Sequence, residues 1–256
     1  MRDKTTILIT GASSGLGRAL AIRLANKNTH VAIMSRDKGR LQETASMCEH
    51  SPLLIAADIT SESSCQAAIA KVIDHYGRLD HLVLNAGISM WSRFEDLADL
   101  TAIHELIQTN YMGAVNCTWH ALPYLKKTHG MITVISSIQG KIGVPFHTGY
   151  AASKHALEGF FNSLRTELHK QMDILIVSPG WIRDTELKMR ALGRKPENPA
   201  KKTSRQAITL DFCCKEIISA IKQRKRELII PKKYYYLPWI KLISPSFLDN
   251  LIRRSF

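Results

Sequence analysis

The feature that most restricts how this chain folds is a regular alternation. Seven short apolar or β-branched runs, at residues 6–10, 30–35, 52–57, 81–84, 131–136, 173–178 and 227–230, are separated by amphipathic stretches of helical length. The candidate helices cover 16–27, 38–48, 62–76, 97–127, 149–170 and 206–224. Strands buried on both faces read as near-continuous apolar runs, so the pattern predicts an α/β fold: a doubly wound parallel sheet of about seven strands with helices on both faces. A chain of 256 residues that is 45% hydrophobic can fill one such core. In a sheet of this kind ligands bind beyond the carboxyl ends of the strands, which makes the residues just after each run the candidates for function.

After the first run comes Thr10-Gly11-Ala12-Ser13-Ser14-Gly15-Leu16-Gly17-Arg18, leading straight into a helix. Glycines there let backbone approach a pyrophosphate, whose charge a helix N-terminus favours. The Gly-x-x-x-Gly-x-Gly spacing differs from the common dinucleotide fingerprint and from the phosphate loop ending in Gly-Lys-Ser/Thr. An ordinary tight turn is the alternative. The second run ends at Ser35, followed by Arg36, whose guanidinium suits a ribose 2′-phosphate and so favours NADP(H) over NAD(H). Asp37 has two readings: a partner for a 2′-hydroxyl, or the N-cap of the next helix.

Tyr150 and Lys154 are four residues apart, so on a helix both heads reach one point, and Ser137 lies thirteen residues upstream. A phenol of pKa near 10 needs roughly 4 kcal/mol of help to exchange protons at neutral pH. An ammonium about 5 Å away supplies roughly 3 kcal/mol at an effective dielectric near 20. With seven tyrosines in the chain, one such pair means little alone. Its weight comes from the company it keeps.

Taken in order, the motifs are Thr10-Gly11-x-x-x-Gly15-x-Gly17, Asp58 after the third run, Asn85-Ala86-Gly87 after the fourth, Asn110, Ser137, Tyr150-x-x-x-Lys154 and Pro179-Gly180. On these residues the chain resembles a short-chain dehydrogenase/reductase of the short single-domain type, over residues 5 to about 232. The resemblance implies a Rossmann-like fold and a Ser-Tyr-Lys-Asn site with no metal. Tyr150 would exchange a proton with the substrate oxygen, Ser137 would polarise that oxygen, and Lys154 would lower the Tyr150 pKa and hold the nicotinamide ribose. Asn110 would hold a water of the proton relay. Further cofactor contacts would come from Gly11, Ser13, Ser14, Gly15, Leu16, Gly17, Ser35 and Arg36, then from Asp58, Ile59, Asn85, Ala86, Gly87, Pro179, Gly180 and Ile182. Ser136 competes with Ser137, but strand neighbours face opposite sides and the family spacing selects Ser137. The family's threonine four residues past the glycine is Asp184 here, with Thr185 one later, so that role stays open. His147, Trp181 and Trp91 flank the expected cleft as candidate substrate contacts.

The expected activity is NADP(H)-dependent interconversion of a carbonyl and a primary or secondary alcohol on a small or hydrophobic substrate. A 3-ketoacyl carrier-protein or acyl-CoA type reductase is the alternative, and a non-enzymatic NADP-binding sensor or scaffold a third. The family resemblance also implies a homodimer or homotetramer. Residues 181–205, rich in Lys and Arg, read as a substrate lid or a surface loop.

Charge is uneven. Of the formal +13, residues 1–182 contribute +2 and residues 183–256 contribute +11. No helix-turn-helix signature accompanies this bias, and no nucleic-acid partner is expected. Residues 233–256 form a basic aromatic extension resembling the tails of hydroxysteroid- and retinol-type dehydrogenases. Two readings stay open for it: peripheral contact with a membrane surface, or packing of Trp239, Leu242, Ile243, Phe247 and Leu248 on the core or on a second subunit. Five cysteines with neither zinc-ligand spacing nor disulfide-rich density suggest a reducing compartment, and the N-terminal apolar run is too short for a signal or a membrane span. The expected location is cytoplasmic.

Overall fold

A computed structural model of the chain describes residues 4–183, 185–187, 189–193 and 207–255. Seven parallel strands form one sheet: β1 (Thr5–Thr10), β2 (Thr29–Ser35), β3 (Leu53–Ala56), β4 (His81–Leu84), β5 (Met131–Ile135), β6 (Asp173–Pro179) and β7 (Glu227–Ile230). Their order is β3-β2-β1-β4-β5-β6-β7, so the chain winds outward from β1 in one direction and then returns to wind outward from β4 in the other. This reversal opens a crevice above the carboxyl ends of β1 and β4, the expected place for a ligand.

Side chains alternate across the strands and build a core on each face. Leu8, Leu82, Ile132 and Ile174 pack under α3 (Glu62–Tyr76), α5 (Gly113–Lys127) and α6 (Thr148–Glu167). Ile9, Val83, Leu175 and Val177 pack under α1 (Gly15–Leu24), α2 (Lys38–Ser46) and α7 (Leu210–Lys222). Both faces are apolar because both are covered, the condition the continuous apolar runs had implied.

Several helices start or stop where local chemistry dictates. Asp37 caps α2, its carboxylate accepting from the Arg40 amide at 3.0 Å, and Ser61 caps α3 by accepting from Ser64 at 3.2 Å. Gly77 ends α3 with φ of 75°, a left-handed conformation that costs glycine little. The expected helix over 16–27 stops at Leu24, where Thr29 and Asn26 bond the last carbonyl region. The expected continuous helix over 97–127 is instead α4 (Thr101–Leu106), a wider π-helical turn (Ile107–Met112) and α5. The one expected over 206–224 begins at Leu210, capped by Thr209, whose hydroxyl accepts from Phe212 at 3.2 Å; residue 206 lies outside the described residues.

The extension is helical. α8 (Tyr236–Ile243) and α9 (Pro245–Ser255) seat Leu237, Ile240, Leu248 and Ile252 on a small separate cluster with Ile138, Ile142 and Ile229. Of the five tail residues expected to pack, only Leu248 does so within this chain; Trp239, Leu242, Ile243 and Phe247 are exposed. They fall on the outer side of two helices whose inner side is already occupied.

Candidate active site

A cavity of about 1010 Å³ occupies the crevice. At one end lies the glycine turn. Gly11 adopts φ of 66°, and a Cβ there would stand 2.7 Å from the Ala86 backbone. A Cβ on Gly17 would collide with the Gly11 carbonyl and the Asn85 amide nitrogen. The Asn85 carboxamide donates to the carbonyls of Thr10 and Gly11 at 3.1 Å each, while the Thr10 hydroxyl accepts from the Asn85 and Ala86 amides at 3.0 and 3.1 Å. Asn85-Ala86-Gly87 therefore ties β4 to the turn after β1 and holds the glycines in place. Ser14 precedes α1 without a side-chain cap, leaving the helix N-terminus facing the cavity beside Ser13, Gly15 and Leu16.

Ser35, Arg36, Asp58 and Ile59 line the same end. The Arg36 guanidinium is 72% exposed and 4.0 Å from the Asp58 carboxylate, which also accepts from the Thr60 amide and hydroxyl at 2.9 Å. Asp37 is committed to capping α2. Arg40, which sequence reasoning passed over, reaches the cavity from α2 and pairs with Glu186 at 2.5 Å. Beside Glu186, Thr185 lies over the glycine turn, 3.6 Å from where a Gly15 Cβ would be. Asp184 and most of the proposed lid lie outside the described residues, whereas Pro179, Gly180, Trp181 and Ile182 line the cavity.

At the other end α6 carries a stripe at four-residue spacing: Tyr150, Lys154 and then Glu158. The Tyr150 phenol and the Ser137 hydroxyl share the cavity wall, with Ser137 near enough to favour the phenolate. The Lys154 ammonium donates to the Ile135 carbonyl at 2.9 Å and stands 5.7 Å from the centre of the Tyr150 ring. Ser136 points the other way, donating to Glu158 at 2.9 Å, so the two serines face different partners. Glu158 is buried, accepts also from Ser178 at 3.0 Å, and pairs with Lys141 at 2.6 Å, which in turn pairs with Glu227 at 2.5 Å. A glutamate in the run Ala-Leu-Glu-Gly-Phe-Phe, one helical turn past Lys154, was the signal that could have found it.

Burial dominates the electrostatics. Loss of water pushes the Tyr150 phenol up to about 12, against the opposing influence of the nearby Ser137 hydroxyl. The expected depression of this phenol is thus absent, because the charged form loses more solvation than its neighbours return. The same loss pushes the Lys154 ammonium down to about 8, against the attraction of Glu158.

Four nominated residues do not line the cavity. Gly17 serves the turn from beneath. Asn110, in the π-helical turn, is 1% exposed; its carboxamide accepts from the Ile88 amide at 2.8 Å and donates to the Ile88 carbonyl at 3.0 Å and to Ser153 at 2.9 Å. His147 is buried behind Trp181, ring centres 5.4 Å apart, and edge-on to Trp91 at 4.9 Å, with its Nδ1 bonded to the Pro145 carbonyl. Trp91 stands with it, one layer back from the cavity wall.

A family model described as short chain dehydrogenase matches residues 5–195, three quarters of the chain. The chain belongs to that family. This short-chain dehydrogenase is 34% identical over 256 residues to an 11-beta-hydroxysteroid dehydrogenase-like 4A protein of Arabidopsis thaliana, covering 97% of this chain and 84% of that one. Among solved structures it is similar to an alcohol dehydrogenase of the archaeon Thermococcus sibiricus complexed with 5-hydroxy-NADP, with 25% identity, a TM-score of 0.79 and coverage of 90% and 97%. A short-chain dehydrogenase from Streptomyces avermitilis matches all of this chain and 98% of its own at a TM-score of 0.81 and 25% identity. Fold and family agree: the chain is a short-chain dehydrogenase of the oxidoreductase class with a single Rossmann-like domain.

Proposed function

We propose that this short-chain dehydrogenase interconverts a carbonyl and a primary or secondary alcohol with NADP(H), acting on a small or hydrophobic substrate through Ser137, Tyr150, Lys154 and Asn110. The observation that carries the reading is the convergence of Ser137, Tyr150 and Lys154 on one cavity wall, with the Lys154 ammonium 5.7 Å from the centre of the Tyr150 ring and on the next turn of the same helix. A bound nicotinamide would supply the carbon that gives or takes hydride. The protein's part is to present and remove a proton. With its pKa near 12, Tyr150 is a protonated phenol at neutral pH, ready to donate toward a carbonyl oxygen that Ser137 also contacts. Lys154 supplies the positive charge that favours the phenolate formed by that donation. Asn110 is a positioning residue whose buried carboxamide fixes the backbone at Ile88 on the site's rim.

The cradle fits a dinucleotide. Gly11 and Gly15 have positive φ, which other residues rarely adopt, a Cβ on Gly11 would press on the Ala86 backbone, and the α1 N-terminus faces the space a pyrophosphate would fill. For NADP(H) over NAD(H), the support is Arg36, exposed at the cavity end, together with the commitment of Asp37 to its cap. The Thermococcus relative, solved with an NADP derivative, supports the same choice. We extend the proposal to residues 1–232 as the catalytic unit, to residues 181–205 as a substrate lid, and, by family resemblance, to a homodimer or homotetramer in a reducing, cytoplasmic setting.

Tyr150→Phe tests the chemistry. Turnover of any accepted ketone should fall about 10²- to 10⁴-fold while NADPH still quenches intrinsic fluorescence with unchanged affinity; retained turnover removes Tyr150 from the mechanism. Arg36→Ala tests the cofactor, with KM for NADPH rising about tenfold and KM for NADH unmoved.

A further inference from the structure

Among the described residues, half of the exposed large hydrophobic side chains lie on the tail. Tyr236, Trp239 and Ile243 recur at three and four residues on the outer side of α8, Leu242 lies beside them, and Phe247 continues onto α9; these five are between 59% and 80% exposed. The opposite side of the same two helices is spent on Ile138, Ile142 and Ile229. Residues 232–255 hold five basic side chains (Lys232, Lys233, Lys241, Arg253, Arg254) against the single acid Asp249. Large aromatic and aliphatic side chains ringed by cations match a lipid interface with anionic headgroups. Among the described residues no helix is long and apolar enough to cross a membrane.

We propose that α8 and α9 form a lipid-docking face that lies in the surface of an anionic bilayer. Its position relative to the cavity gives the contact a purpose. Ile138, which the tail covers, directly follows Ser137, and a Cβ on Gly180 in the cavity wall would collide with the Tyr234 ring at the root of the tail. A bilayer against the outer side of these helices would therefore be separated from the cavity wall by the tail alone, which would bring an apolar carbonyl or alcohol dissolved in lipid near the site. The delivery role rests on the oxidoreductase reading; the docking itself does not.

The test is flotation of the full chain with phosphatidylcholine vesicles, with and without phosphatidylserine, alongside sedimentation in the absence of lipid. The protein should float with the phosphatidylserine vesicles, less so at high salt. Trp239→Glu and Ile243→Glu should each weaken that binding about tenfold, since full burial of one large apolar side chain and a factor of ten in an equilibrium are of similar size. Replacing Lys232, Lys233, Arg253 and Arg254 by Gln should abolish the preference for phosphatidylserine while leaving the apolar face intact. Turnover of a water-soluble ketone reports folding and should be unchanged in all variants, whereas turnover of a substrate held in vesicles should fall in parallel with flotation. Docking that follows this pattern without any effect on vesicle-borne substrate removes the delivery role alone. Failure to float with phosphatidylserine vesicles at low salt overturns the proposal, as does a dimer that the glutamate variants convert to monomer, which would assign the face to a second copy.

Discussion

At the scale of the residue, the stripe Tyr150, Lys154, Glu158 sets the pH behaviour. Lys154 is pushed down to about 8 and Tyr150 up to about 12, so the first of the pair to lose a proton on raising the pH is the lysine. Below pH 8 the free enzyme holds a phenol to donate and an ammonium to favour the resulting phenolate; above it the ammonium is lost. The kcat/KM for ketone reduction should therefore fall with an apparent pKa near 8, well short of the free phenol, in a pH profile measured at saturating cofactor. The linkage runs the same way for stability. A lysine whose folded pKa lies below its unfolded value binds fewer protons when folded between about 8 and 10.5, so its burial penalty fades as the pH rises through that window. Glu158→Gln should shift the kinetic limb to lower pH, because Glu158 is the charge that supports the Lys154 ammonium. Chemical denaturation should show a further loss of about 3 kcal/mol, since the substitution breaks a buried ion pair with Lys141. The tyrosine and lysine were legible from their spacing. Glu158 was legible only as an oddity in an apolar stretch, because its partners come from elsewhere: Ser136 and Lys141 from the connection after β5, and Ser178 from β6.

At the scale of the element, the turn between β1 and α1 and the π-helical turn before α5 do the positioning. The glycine turn is held by contacts from β4, seventy-odd positions away in sequence, through Thr10 and Asn85. Gly17→Ala places a methyl group against the Gly11 carbonyl and the Asn85 carboxamide. The turn must shift, at a cost of about 1–3 kcal/mol in stability by denaturant titration, and NADPH affinity should fall more steeply than stability if the displaced backbone is the cofactor cradle proposed above. Periodicity located the strands and most helices to within a few residues, because an apolar face is written directly into the sequence. It did not reveal the π-helical turn within residues 97–127, where a local widening leaves the hydrophobic spacing almost unchanged while moving Asn110 into reach of Ile88 and Ser153.

At the scale of the whole molecule, the tail separates two kinds of hydrophobic residue that look alike in sequence. Leu248 is 2% exposed and Ile243 is 80% exposed. Leu248→Ala should cost about 3 kcal/mol in thermal or chemical unfolding, whereas Ile243→Ala should change stability by less than about 0.5 kcal/mol. The sequence by itself determined the sheet, its double winding, the glycine turn and the pairing of Tyr150 with Lys154, because each depends on periodicity or on spacing along one strand, turn or helix. Only the tertiary structure decided which tail residues face inward, that Ser136 belongs to Glu158 while Ser137 belongs to Tyr150, that Arg40 closes on Glu186, and that the phenol is raised in pKa. All four depend on which distant segments meet and how much water they exclude, and neither quantity is carried by the spacing of residues along a chain.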